Sequence, residues 1–239
     1  MPDVSERNVD DLNPAPTRPG SGGPIVNAPP VVLALIAVLF VIHLLIQIGG
    51  DNWANWALNA FALIPERFAG GARTEMIPGS QYWSLITYGF LHEGWMHLLG
   101  NSLWLLIFGT PVARKFGALR FLAIAFVSTL GGGLAMLWIY WGVRMIVVGA
   151  SAAVSGLLAA AIPIVFATPG TPLTFRKLLC DRRALIITFI FLGMMLLTGV
   201  QEIPGFADNG RIAWEAHIGG FVAGLLSYFV INRERVQGR

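Results

Sequence analysis

The sequence predicts an all-α polytopic membrane protein, a bundle of six transmembrane helices. Three observations lead there. The 239 residues are 55% hydrophobic and only 12% charged, against roughly 25% charged in a soluble domain. Six apolar runs each approach the ~20 residues that a helix needs to cross a bilayer. The basic residues gather in alternate connections between those runs, as they do where a chain threads a membrane. The net charge of +3, spread in this way, reports orientation and gives no footing for nucleic acid. The single cysteine, Cys180, closes no internal disulfide and leaves the redox compartment open.

Residues 1–30 read as a disordered tail, rich in Pro, Gly, Asp and Asn and without apolar periodicity. The start of this tail is acidic and lacks the basic n-region of a secretory signal or transit peptide. Span one is expected at 31–48. The segment 49–94 is too polar to span and too apolar to float free. Its Trp53, Trp56, Phe61, Tyr82 and Trp83 suit the membrane interface. Further spans are expected at 95–112, 121–141, 150–167, 184–200 and 213–231. The membrane domain thus occupies 31–231, and 232–239 is a short basic tail.

Arg114, Lys115 and Arg120 follow span two. Arg176, Lys177, Arg182 and Arg183 follow span four, and Arg233, Arg235 and Arg239 follow span six. Short basic connections stay in the cytoplasm, so both termini are expected there. Spans four and six then both enter from the outer side, at 149–151 and 213–217. Ser151 and His217 are therefore expected at similar depth, a turn or so below the outer surface.

Gly149-Ala150-Ser151-Ala152-Ala153-Val154-Ser155-Gly156 puts a serine at an expected helix N-terminus. Unpaired N–H groups there suit a developing oxyanion, but a serine hydroxyl needs a base to become a nucleophile. Small residues also pack helix on helix in lipid, and for this motif alone packing is the stronger reading. In Ala216-His217-Ile218-Gly219-Gly220-Phe221-Val222-Ala223-Gly224, an ionisable side chain inside a span is a functional candidate by default. Gly220 and Gly224 stand four apart, a close-approach face, with His217 three residues before Gly220 on nearly the same side. Ala223 is expected on another face. If span four is the neighbour, His217 reaches Ser151 as its general base. The alternative is a structural histidine bonded to a backbone carbonyl.

His92-Glu93-Gly94-Trp95-Met96-His97 nearly spells a zinc-protease motif, which needs histidines at i and i+4. Here they are at i and i+5, about 140° apart on a helix, so one regular helix cannot chelate a metal with both. No metal and no cofactor is expected. His92 reads as an interfacial loop residue. His97 and Asn101 are four apart and share a face. Both carry N–H donors suited to an oxyanion hole, or to helix–helix bonding. His43, in span one, has no polar partner nearby in sequence. No Asp falls inside a span, which argues against an aspartyl protease.

His92, His97 and Asn101, then Gly149-Ala150-Ser151, then Ala216-His217-Ile218-Gly219-Gly220 and Gly224 together resemble the rhomboid family of intramembrane serine proteases. The resemblance covers roughly 31–231. It implies a six-helix rhomboid-like bundle that cleaves transmembrane protein substrates in or near the lipid bilayer. By this resemblance Ser151 and His217 are the catalytic dyad, and His97 and Asn101 support the oxyanion. Gly149, Gly220 and Gly224 are structural residues near the site. Segment 49–94 corresponds to the first loop, and the loop before span six to a cap over the site. The chain departs from the family pattern at three places. Ala152 follows the serine where Gly is usual, and Ser155 stands where an aromatic often stacks on the histidine. Trp83-Ser84 replaces Trp-Arg. The expected location is the cell inner membrane, with the active site open to the outer side. The competing expectation is a non-catalytic rhomboid-like protein that binds membrane clients.

Overall fold

The computed structural model describes residues 28–70, 77–166, 178, 180–200 and 213–237. The expected tail at 1–30 lies outside this set except for its last three residues, as do the loop before span six and the basic pair Arg176 and Lys177. Helix α1, Pro30–Phe61, starts on a proline, whose missing N–H costs nothing at a helix start. It breaks at Gly50, whose φ of 71° and ψ of −174° are not helical. The membrane-crossing part therefore ends where the apolar run ends. Residues 51–61 form a second helical piece, with Trp53 and Trp56 stacked and exposed.

A 3-10 turn at Pro65–Ala69, helix α2 (Ser80–Thr87) and a second 3-10 turn at Tyr88–Phe90 complete the first loop. Three successive carbonyls at the end of α1 accept side-chain donors from this loop. Trp83 Nε1 donates to Ala60 O at 2.7 Å, Thr87 Oγ1 to Phe61 O at 2.8 Å, and Arg67 Nη1 to Ala62 O at 3.5 Å. These carbonyls have no partner within the helix, and the cation also suits the negative helix end.

Helices α3 (Trp95–Phe116) and α4 (Ala118–Tyr140) are separated by Gly117 alone, at φ 82°. The expected loop at 113–120 is thus mostly helix, with Arg114 and Lys115 in the last turn of α3, where cations oppose the helix dipole. Helices α5 (Ser151–Val165), α6 (Arg182–Val200) and α7 (Trp214–Gln237) follow. α7 runs on through residues 232–237, so most of the expected basic tail continues the helix. The described residues contain no strand, only an isolated antiparallel bridge between Leu63 and Val147.

By length and composition α1, α3, α4 and residues Trp214–Arg233 of α7 can cross a membrane; α5, of 15 residues, is a shorter apolar helix. α5 is the centre of the fold. Every residue from Ala152 to Pro163 is buried, as expected of a helix that is apolar all round. Leu105 of α3, Phe121 and Ile124 of α4, Leu157 of α5 and Tyr228 of α7 share one core with Val32 and Leu39 of α1.

Between α4, α5 and α7 the contact is backbone on backbone. A side chain at Gly220 would overlap the Ala152 carbonyl, and one at Gly224 would overlap the backbone of Gly156. On its other side α7 meets α4. A Cβ at Gly131 would lie 2.6 Å from the Ala223 methyl and 2.9 Å from the Gly219 carbonyl oxygen. Ala223 is therefore packed too, because α7 sits between two helices and has two close-approach faces. In lipid such contacts hold helices together by van der Waals packing.

Candidate active site

Ser151 is the first residue of α5, with Ala150 as its N-cap. The N–H groups of that first turn have no carbonyl behind them in the helix. Gly149, just before, has φ 122°, a conformation costly for any residue with a Cβ. A Cβ there would also lie 2.7 Å from Cε1 and Nε2 of His97 and 3.7 Å from Ser151 Oγ. Gly149 thus lets the His97 imidazole come against the turn that presents the serine. The Gly149 N–H donates to Tyr88 O at 3.0 Å, and Leu63 exchanges bonds with Val147 at 3.1 and 2.9 Å. The first loop in this way holds the chain leading to Ser151.

His217 lies in the first turn of α7 and is buried. Two contacts fix its position relative to Ser151. Its neighbour Ala216 and Ser151's neighbour Ala152 both press on Gly132 of α4: a Cβ there would be 2.5 Å from Ala152 Cβ and 2.7 Å from Ala216 O. One turn further along α7, Gly220 rests on Ala152. The serine and the histidine therefore flank a shared three-helix contact. His217 Nδ1 and His97 Nδ1 are buried without a protein hydrogen-bond partner. Asn101, buried on α3, donates from Nδ2 to His97 O at 3.0 Å, which leaves its second N–H hydrogen. Ser155 Oγ donates to the Ser151 carbonyl at 2.7 Å, a turn back on its own helix.

His92 lies in the expected loop, between the second 3-10 turn and α3, but it is buried there, at 7% exposure. Its ring meets that of His97 edge-on, with centroids 5.1 Å apart. Burial, then the nearby charges of His97 and His43, hold its pKa down to about 3, opposed by the Phe90 backbone. Its polar surroundings in sequence hide this burial, because the groups that meet it come from two helices, His97 of α3 and His43 of α1. His43 is buried as well, with Trp95 edge-on at 4.6 Å. Among the described residues no three His, Cys, Asp or Glu side chains are grouped to hold a metal ion. Sequence inspection overlooked Glu215, buried at 4% exposure, although an acid in the first turn of span six was a visible signal.

Helices crossing a bilayer, with a serine at a buried helix start and histidines from α3 and α7 around it, define a polytopic membrane protein with a polar site inside its helical bundle. The rhomboid domain model matches residues 79–234, and the chain belongs to the rhomboid family. It is 32% identical over 178 residues to RHOMBOID-like protein 4 of Arabidopsis thaliana, covering 74% of this chain and 41% of that protein. It is 24% identical over 212 residues to rhomboid protease GlpG of Serratia proteamaculans, covering 87% and 65%. RHOMBOID-like protein 6, mitochondrial, of Arabidopsis thaliana is 30% identical over 165 residues, covering 69% and 48%. The chain thus spans between two fifths and two thirds of the length of these relatives.

Proposed function

We propose that this chain is an intramembrane serine endopeptidase that cleaves transmembrane protein substrates in or near the bilayer. The observation that carries the proposal is the meeting of three helices at Ser151. The His97 ring faces it across Gly149, and Ala216 and Gly220, on either side of His217, press on the α4–α5 contact beside it. His217 takes the proton from Ser151 Oγ, and the alkoxide adds to the scissile carbonyl. First-turn N–H groups of α5 with His97 and Asn101 hold the oxyanion. His217 then passes the proton to the leaving amine, and water releases the acyl group by the same steps in reverse. The chemistry uses no metal and no cofactor.

The proposed bundle has six spans, with α5 and α6 as the fourth and fifth, in one domain at 31–231 preceded by a tail. Arg114, Lys115 and Arg120 at the α3–α4 junction favour a cytoplasmic side for that junction and for both termini. The site then opens to the outer side of a cell membrane, the inner one in a cell with two. One relative bears a mitochondrial name, so fractionation of the native host is the check on location.

The test is cleavage of a generic transmembrane substrate by the purified chain in detergent. Cleavage that disappears in Ser151→Ala is the expected result. A folded parent that binds such a substrate and leaves it intact would instead make the chain a client-binding rhomboid.

A further inference from the structure

Glu215 is the one carboxylate among the buried polar side chains of the described residues. Glutamate is almost never buried without a partner, and an ionisable group in a membrane helix carries a cost that some function must offset. The partner here is Tyr140, whose hydroxyl donates to Glu215 Oε1. Tyr140 is the last residue of α4 and Glu215 the second of α7. The bond therefore joins the outer ends of these two helices. The Tyr140 ring is itself seated on the cluster of Leu63, Tyr88, Met136 and Ala216.

Below this bond the α4–α7 and α5–α7 contacts run through Gly131, Gly132, Gly219, Gly220 and Gly224. Such surfaces permit close approach. The large side chains that anchor α7 in the core, Phe221 and Tyr228, lie about one and about three turns beyond His217, so the end that carries His217 has few side-chain knobs to set its rotation. Two residues on a helix are about 200° apart, so Glu215 and His217 leave α7 on opposite sides. Fixing one fixes the azimuth of the other. A side-chain head lies roughly 6 Å from the helix axis, so a rotation of about 10° moves it by about 1 Å. A displacement of that size can cost roughly 10²-fold in rate.

We propose that Glu215, through its hydrogen bond to Tyr140, is a positioning residue that sets the rotation of α7 and so the place of the His217 imidazole. This rests on the protease reading for its effect on rate. Its geometric content stands apart from that reading.

The experiment uses the full chain in detergent, with Tyr140→Phe, Glu215→Gln, Glu215→Ala and the double variant Tyr140→Phe/Glu215→Ala. Three quantities are read: kcat and KM on a transmembrane substrate, the rate at which a fluorophosphonate labels Ser151, and the imidazole ¹⁵N resonances of His217. Tyr140→Phe and Glu215→Ala are expected to lower kcat and labelling together by roughly 10- to 100-fold with KM unchanged, and to shift or broaden the His217 signals. The double variant should be no worse than either single, because one bond is lost in all three. Glu215→Gln keeps an acceptor oxygen for Tyr140 and should stay within a few-fold of the parent.

Parent-like labelling and parent-like His217 signals in Tyr140→Phe would overturn the proposal. So would multiplied losses in the double variant. Tyr140→Phe removes one oxygen and keeps the ring in its cluster, so it decides the matter even if Glu215→Ala fails to fold. A parent that neither cleaves nor labels overturns the protease reading instead, and the His217 resonances then still decide the positioning role.

Discussion

Gly220 rests directly on the backbone of Ala152, so closely that a side chain there would overlap the Ala152 carbonyl oxygen. The obstacle is main chain on the central helix and no rotamer change relieves it. Gly220→Val is therefore expected to destabilise by about 1–3 kcal/mol or more, lowering the melting temperature by roughly 5 °C. Cleavage should fall by about 10²-fold as His217 moves outward. Leu226→Val is the control, since Leu226 is 59% exposed on the lipid side. Ala223→Val does not serve as a control, because the Ala223 methyl abuts Gly131. Melting curves and a cleavage assay in one detergent compare the two; a parent-like Gly220→Val would refute this packing account.

Ser151→Ala and His217→Ala are each expected to abolish cleavage while the protein stays folded. Ser151 and His217 flank the same contact at Ala152 and Ala216, and dyad members act as a unit. The double variant should then be no slower than either single. The measurement is single-turnover cleavage alongside thermal melting. Substantial turnover by either single variant would remove that residue from the dyad.

Asn101→Ala is expected to slow turnover by about 10²-fold without stopping it, as loss of one oxyanion donor does. One Asn101 N–H is already committed to the His97 carbonyl, so only the other can serve. A kcat loss at constant KM and parent-like melting would support this role. Unchanged kcat would make Asn101 a local brace for α3.

Acid should destabilise the fold through His92. Its ordinary value is 6.5 and burial holds it to about 3 in the fold. As pH falls below 6.5 the unfolded chain takes up a proton that the folded chain refuses until about 3. Stability from neutral His92 is thus complete above 6.5 and is lost between 6.5 and 3, by at most about 1.4 kcal/mol per pH unit. Melting temperatures from pH 7.5 to 4.5 should drop less steeply in His92→Gln than in the parent. Equal slopes would show that other groups carry the acid response.

Hydropathy and residue chemistry located most elements, because a bilayer demands long apolar runs and penalises charge. The span expected at 95–112 is the body of α3, Trp95–Phe116, and the run expected to start at 31 is α1 up to its break at Gly50. Chemistry also singled out Ser151, His217, His97 and Asn101, since polar groups of these types are scarce in such runs. The helix ends were less legible. A polar stretch reads as a loop, yet Gly117 alone turns the chain between α3 and α4, and the charged end of α7 stays helical.

By itself the sequence determined that this is a helical membrane protein and which few polar side chains stand in its apolar runs, because composition and spacing along one helix are local properties. Which helices touch is not local. That His92 is buried against His97, that both glycine faces of α7 are occupied, and that Glu215 is held by Tyr140 across 75 residues of chain were decided only by the tertiary structure. The physical reason is that helix association in lipid depends on close fit between particular surfaces, and the fit exists only once α4, α5 and α7 are assembled.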